Sequence, residues 1–295
     1  MADKKSSQKT NQRLQKQQKS MLCDGLSFAA AEAYKLLRTN LLFTLPDKPC
    51  RIVGITSAVR GEGKSTTSIN LSYTLAESGK RVLLIDADMR LPSIASKLSI
   101  HGTPGLSNLL AGLREEKSCV RPSGYFSNWY ILPAGDIPPN PSELLGSERM
   151  RALLERCAGI FDFIVIDLPP ATIVTDALAV STMIDGLIVA VRQNYTERRN
   201  LNECMYQMKK IGSKFLGFVM TDASVSETSY KRYGKYGKSY GYGYGYGYDS
   251  ADRPATKNDS AFIKATLDDR NDAAAAEQKP KEAAEKPETK PASDD

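Results

Sequence analysis

At 295 residues the chain is long enough for one or two domains, and its 41% hydrophobic content lies a little under the globular norm. The deficit is confined to the two ends, so residues 21–227 have the composition for one full core. The net charge of +6 is also segregated: residues 1–20 carry +5, residues 228–248 carry +4 and residues 249–295 carry −4, which leaves the middle near +1 and gives no basic face to argue for nucleic acid.

Residues 1–20 are basic and nearly without apolar side chains, and are expected to be disordered. A helical apolar spacing begins near Phe28 and stops before Pro46. Strands and helices then alternate. Residues 51–57 read as a buried strand, 65–78 as a helix ended by Gly79, and 81–86 and 129–135 as further strands. Residues 142–159 read as one helix with Ser142 as its N-cap. Strands are expected at 161–167, 186–192 and 215–221, with helices around 176–184 and 197–211 between them. Short apolar runs alternating with helices predict an α/β domain: a doubly wound, mostly parallel sheet with helices on both faces. Its ligand site is expected at the carboxyl ends of the strands. No apolar run approaches the ~18–20 residues of a membrane span, so a cytoplasmic chain that is not self-anchored is expected.

The chemistry concentrates at strand ends. Ala58-Val59-Arg60-Gly61-Glu62-Gly63-Lys64-Ser65-Thr66 is a P-loop with Ala58 at the place of the first glycine. Gly61 and Gly63 let the backbone curl so that N–H groups point inward, and the following helix offers its N-terminus to phosphates. Lys64 is expected to reach the outer phosphates, and the Ser65 hydroxyl to complete a magnesium shell. Asp86 and Asp88 stand at the tip of the 81–86 strand, and Asp167 precedes Leu168-Pro169-Pro170 where a Walker-B carboxylate belongs. Either acidic tip alone is more often a strand-end cap; three tips around one phosphate loop argue against coincidence. The single histidine, His101, excludes a multi-histidine metal site, and five cysteines without C-x-x-C spacing argue against a disulfide framework or a zinc ribbon.

The set Lys64–Thr66, Asp86-x-Asp88-x-Arg90 and Asp167-Leu168-Pro169-Pro170 resembles the bacterial tyrosine kinases of capsule and exopolysaccharide synthesis, P-loop proteins of the Min/Par-like branch. Thr103-Pro104-Gly105-Leu106-Ser107, Leu132–Gly135 running into Pro138–Leu145, and Val191–Thr196 extend the likeness over about residues 28–248. The resemblance implies binding of ATP and Mg2+ by Gly61, Glu62, Gly63, Lys64, Ser65 and Thr66. It implies that Ser65, Asp86, Asp88 and Asp167 organise the metal and that the carboxylates activate a tyrosine hydroxyl. Asp86 is favoured as base with Asp88 next, and Arg90 steadies the loop or the phosphates. Phosphoryl transfer depends more on position and charge than on a strong base, so carboxylates suffice. The resemblance also implies a membrane-embedded co-polymerase-type activator, a ring-like homo-oligomer, a cognate tyrosine phosphatase, and no nucleic-acid partner. The family's E-x-x-R-x-x-R intersubunit motif is matched here by Glu32, Lys35 and Arg38, where lysine lacks the bidentate fork, and a solvated helix face is the other reading. Val59-Arg60 lacks the extra lysine of Min- and Par-type ATPases, which disfavours the alternative of a partition-type ATPase switch without kinase activity. Thr221 stands where the wider superfamily has an adenine-reading Asn.

Residues 228–248 hold Tyr230, Tyr233, Tyr236, Tyr240, Tyr242, Tyr244, Tyr246 and Tyr248 among Gly, Lys and Ser. They read as an autophosphorylation segment that enters a neighbouring subunit's site, the other reading being a Gly-Tyr segment for RNA stacking or weak self-association. Residues 249–295 read as a disordered mixed-charge tail.

Overall fold

The computed structural model describes residues 25–172, 176–210 and 212–223. A first helix, α1 (Phe28–Thr44), starts at Ser27, whose hydroxyl accepts the Ala30 N–H, and ends ahead of Pro46. The order that follows is β1 (Arg51–Ser57), α2 (Lys64–Glu77), β2 (Val82–Asp86), α3 (Ile94–Leu98), α4 (Leu106–Leu110) and α5 (Glu116–Cys119). Next come β3 (Arg121–Pro122), β4 (Trp129–Leu132), α6 (Pro141–Leu145), α7 (Glu148–Ala158) and β5 (Phe163–Asp167). The described part closes with α8 (Asp176–Val180), a 3-10 turn (Ser181–Met183), β6 (Gly186–Arg192), α9 (Arg198–Lys210) and β7 (Phe215–Thr221).

Among the described residues the strands form one sheet in the order β3-β4-β2-β5-β1-β6-β7, parallel except for the β3 edge. This is the doubly wound architecture that the alternating pattern predicts. β2 and β5 are buried along their whole length, as strands covered on both faces must be. One face packs Leu83, Ile85, Ile164 and Ile166 against α7 and α9. The other packs Val53, Ile55, Leu84 and Val165 against α1 and α2. Polar side chains of α2 are buried too, and they turn back on their own helix. Ser68 donates to the Lys64 carbonyl at 3.0 Å, Asn70 to Thr66 at 2.9 Å and Ser72 to Ser68 at 2.8 Å.

The single helix expected over 142–159 is two. α6 ends at Gly146, and Ser147 restarts the chain as α7 by accepting the Met150 N–H. Asn140 holds the cap position of α6 with Pro141 at its first helical place, so Ser142 is inside the helix and not its cap. β4 stops at Leu132 because Pro133 has no N–H for the ladder. The 176–184 helix is shorter, with a 3-10 turn completing it. Cys50, Cys119, Cys157 and Cys204 are free and buried. Among the described residues no helix is long and apolar enough to cross a membrane.

Candidate active site

β1 sits between β5 and β6, and β5 sits between β1 and β2. The tips of β2, β5 and β1 are therefore neighbours. Asp86 pairs in register with Asp167, and Asp167 with Ile55, two residues before the end of β1. Three sequence-distant motifs thus meet at one sheet edge. From Ser57 the chain curls through Gly61 (φ 81°) and Gly63 (φ 85°), both left-handed. A side chain costs about 1–2 kcal/mol in that region, and a Cβ on Gly63 would also stand 3.1 Å from the Thr221 methyl. α2 begins at Lys64, so its unpaired N–H groups belong to the loop.

Glu62 is fully buried and braces this loop. Its carboxylate accepts the Val59 N–H at 2.8 Å and the Thr196 hydroxyl, while its carbonyl accepts the Thr221 hydroxyl at 2.8 Å. The Thr221 hydroxyl is thereby spent on the P-loop backbone.

Lys64 Nζ lies 2.8 Å from Asp88, 3.5 Å from Asp167 and 3.2 Å from Ser65 Oγ. Burial alone would pull its pKa down; the charges of Asp167 and Asp88 outweigh burial and hold it above the ordinary lysine value. Asp86 has a different environment. One oxygen accepts the Asp88 N–H at 3.2 Å and the other accepts the N–H groups of Ser93 and Ile94 at 3.2 and 3.1 Å. Burial and the neighbouring Asp167 charge push its pKa up, against the pull of the Ile94 N–H. Asp167 is fully buried, and burial raises its pKa against Lys64 and the hydroxyls of Ser65 and Ser68. Ser68 donates to one of its oxygens at 3.2 Å; the other accepts no hydrogen bond among the described residues and faces the Lys64 ammonium, at 3.5 Å. That buried acceptor fits a magnesium shell with the Ser65 hydroxyl. Magnesium takes one or two carboxylates plus phosphate oxygens and water, a donor set to which Asp167 and Ser65 can contribute.

Arg90 does not line the phosphate cavity. Its guanidinium forks onto the buried Asp176 at 2.9 and 3.1 Å, and the Ser142 hydroxyl also donates to Asp176. Asp176 is absent from the sequence-derived set, although an acid opening an apolar helical run is a legible helix-start signal.

Two cavities flank the P-loop and share Gly61, Gly63 and Thr66 as their common wall. One, of about 340 Å³, is lined by Lys64, Ser65 and Asp88 and continues to Leu91, Ser93 and Lys97. The other, of about 460 Å³, is lined by Ala29, Ala30, Ala33 and Tyr34 of α1 and by Val219, Met220 and Thr221 of β7. Arg192 also lines it, paired with Asp222 at 2.9 Å and 5.2 Å from the Tyr195 ring centroid. The first has the donors for phosphates; the second has the flat apolar walls for a base.

Glu32, Lys35 and Arg38 all lie on α1. Lys35 pairs with Glu32 at 2.9 Å. Arg38 donates to the Thr74 carbonyl at 2.6 Å and so ties α1 to the end of α2 in the same chain. Residues 1–24, the eight tail tyrosines from Tyr230 to Tyr248, and residues 249–295 lie outside the described residues.

Residues 50–216 match a family model described as an AAA domain, a match that runs from just before β1 to the start of β7 and leaves α1 outside. The chain is 36% identical over 208 residues to the tyrosine-protein kinase CpsD of Streptococcus agalactiae, covering 70% of this chain and 90% of that one. It belongs to the bacterial tyrosine kinases. The tyrosine-protein kinase YwqD of Bacillus subtilis is also 36% identical, over 207 residues, covering 70% of this chain and 86% of that one. The solved kinase domain of the Escherichia coli tyrosine kinase ETK superposes with a TM-score of 0.60 at 31% identity, over 66% of this kinase and 78% of that chain. The chain is thus a protein-tyrosine kinase on a P-loop ATPase fold.

Proposed function

We propose that this kinase transfers the terminal phosphoryl group of ATP to tyrosines of its own C-terminal segment, Tyr230 to Tyr248, in a neighbouring copy. The observation that carries the reading is the meeting of Lys64, Asp88 and Asp167 beside a glycine-built phosphate loop. The loop N–H groups and Lys64 hold the phosphates. Ser65 and Asp167 would hold magnesium, which neutralises phosphate charge when bound.

Asp88 takes the tyrosine proton in this reading, which is supported by its lining the phosphate cavity where Asp86 does not. Asp86 lies off the cavity lining and accepts three backbone N–H groups, so it acts by holding the loop that follows it, whereas Asp88 accepts one, from Leu91, and turns its other oxygen to Lys64. In the transfer, the tyrosine oxygen bonds to the phosphorus, the bond to the bridging oxygen breaks, ADP leaves with that electron pair, and the proton passes to Asp88. Positioning and charge account for most of the rate in such a reaction.

Each added phosphate brings about −1.5 to −2 charge, so full modification turns the +4 segment strongly negative. That change would weaken contacts between copies and gives the modification a regulatory output. We place that output in capsular or exopolysaccharide synthesis and export, with a membrane-embedded activator recruiting the kinase from the cytoplasm, a ring-like oligomer and a tyrosine phosphatase as partners. A mixing experiment tests the transfer. A Lys64→Ala copy is incubated with an active copy carrying phenylalanine at the eight tail positions, with Mg2+ and ATP. Phosphate mapped by mass spectrometry onto the tail of the Lys64→Ala copy is the expected result; two unmodified tails would refute transfer between copies.

A further inference from the structure

The phosphate cavity has a wall that the P-loop does not supply. Leu91, Ser93 and Lys97 form it, on the stretch that leaves Asp88 and enters α3. Lys97 is half-buried and lies in the last turn of α3. Among the described residues its ammonium has neither a hydrogen bond nor an ion pair. Most other lysines that reach this depth in a fold hold a carboxylate, as Lys64 does. Burial draws its pKa down, with Asp167 opposing and Lys64 reinforcing the shift. A partly desolvated ammonium facing a cavity gains most by meeting an anion there.

The position of this wall defines which anion. The base cavity and the phosphate cavity meet at Gly61, Gly63 and Thr66, so a nucleotide lying across both places its base near α1 and runs its phosphates toward Lys64. Lys97 stands on the wall remote from the base. Its placement is also controlled: Asp86 accepts the N–H groups of Ser93 and Ile94, which fixes the first turn of the helix that carries it. A buried strand-tip carboxylate is thereby spent on orienting this one turn. Lysine suits the place, since a point charge on a flexible stem can follow a phosphoryl group as it moves from donor to acceptor.

We propose that Lys97 is a second phosphate-binding cation of this kinase, one that contacts the terminal phosphoryl group while Lys64 and the loop hold the inner ones. The proposal rests on the reading of the two cavities as an ATP site. The test is titration of the full chain with fluorescent ATP and with fluorescent ADP, each with Mg2+, for wild type, Lys97→Met, Lys97→Arg and Lys64→Ala. Lys97→Met is expected to weaken ATP binding about tenfold or more, the loss of one charged hydrogen bond, and ADP binding less than about twofold. Lys97→Arg keeps the charge and is expected to retain most of the ATP preference. Equal weakening of both nucleotides, or no weakening, overturns the assignment of Lys97. If Lys64→Ala binds both nucleotides as the wild type does, the reading of the cavity fails instead. Unchanged melting curves for Lys97→Met separate a binding effect from a folding one.

Discussion

The phosphate cavity is walled from the centre of the sheet, where Asp86 and Asp167 are fully buried and the partners of Lys64 are fixed. The base cavity is walled from the periphery: a helix outside the AAA-domain match, and the edge strand β7, whose Phe218 and Met220 are largely exposed. The contrast teaches where each kind of function can be built. Charge chemistry needs a low-dielectric, pre-set frame, because reorganising dipoles during reaction is costly. Base binding needs area and shape, which half-buried side chains supply and which can vary without disturbing the frame.

Substitutions in the central cavity are expected to act on the rate, and Lys64→Ala most of all. It should reduce tyrosine phosphorylation by at least about a hundredfold, read as incorporated label over time. Asp88→Asn is expected to follow at about a hundredfold, because it removes a proton acceptor, and to lower the melting temperature as well, because it takes a charge partner from the buried Lys64. Asp86→Asn sharpens the distinction between this cavity and the frame beneath it. An amide puts N–H groups opposite backbone N–H groups, so the domain should lose about 1–3 kcal/mol of stability in chemical denaturation. A stable Asp86→Asn chain with no activity would return the base to Asp86. At the peripheral cavity the effects should be smaller. Arg192→Ala breaks the pair with Asp222 and is expected to raise the KM for ATP about fivefold with kcat nearly unchanged. A large fall in kcat would erase the contrast between centre and edge.

The central cavity was also the more legible one in the sequence. Apolar runs of four or more residues ending in Asp86 and Asp167, and the P-loop after a third, define strand tips by composition alone. Which tips are adjacent is a matter of strand order, and the parallel α/β pattern restricts that order strongly. The environment of each carboxylate was not legible: nothing local to Asp86 says that Ser93 and Ile94 will turn back to it. Arg90 was expected to steady the loop or the phosphates, and the partner that holds it, Asp176, stands 86 positions away, beyond what local pattern shows. The short helices α3, α4 and α5 fell below the length at which helical spacing is visible, and α3 carries Lys97. The break at Gly146 shows in the sequence only as a slip in the apolar spacing, five positions from Leu145 to Met150, and as Ser147 before Glu148, signals that a single helix over 142–159 passes over. The alanine-lined base cavity could not be seen at all, since small residues on α1 read as helix formers until β7 is set opposite them.

One measurement goes to the core of the account: incubation of the full kinase with Mg2+ and ATP labelled on the terminal phosphate, followed by separation of protein from free phosphate. The account predicts label held on tyrosines of the protein and absent from Lys64→Ala. Label that leaves entirely as free phosphate, with the tyrosines unmodified, would contradict it and identify water as the nucleophile.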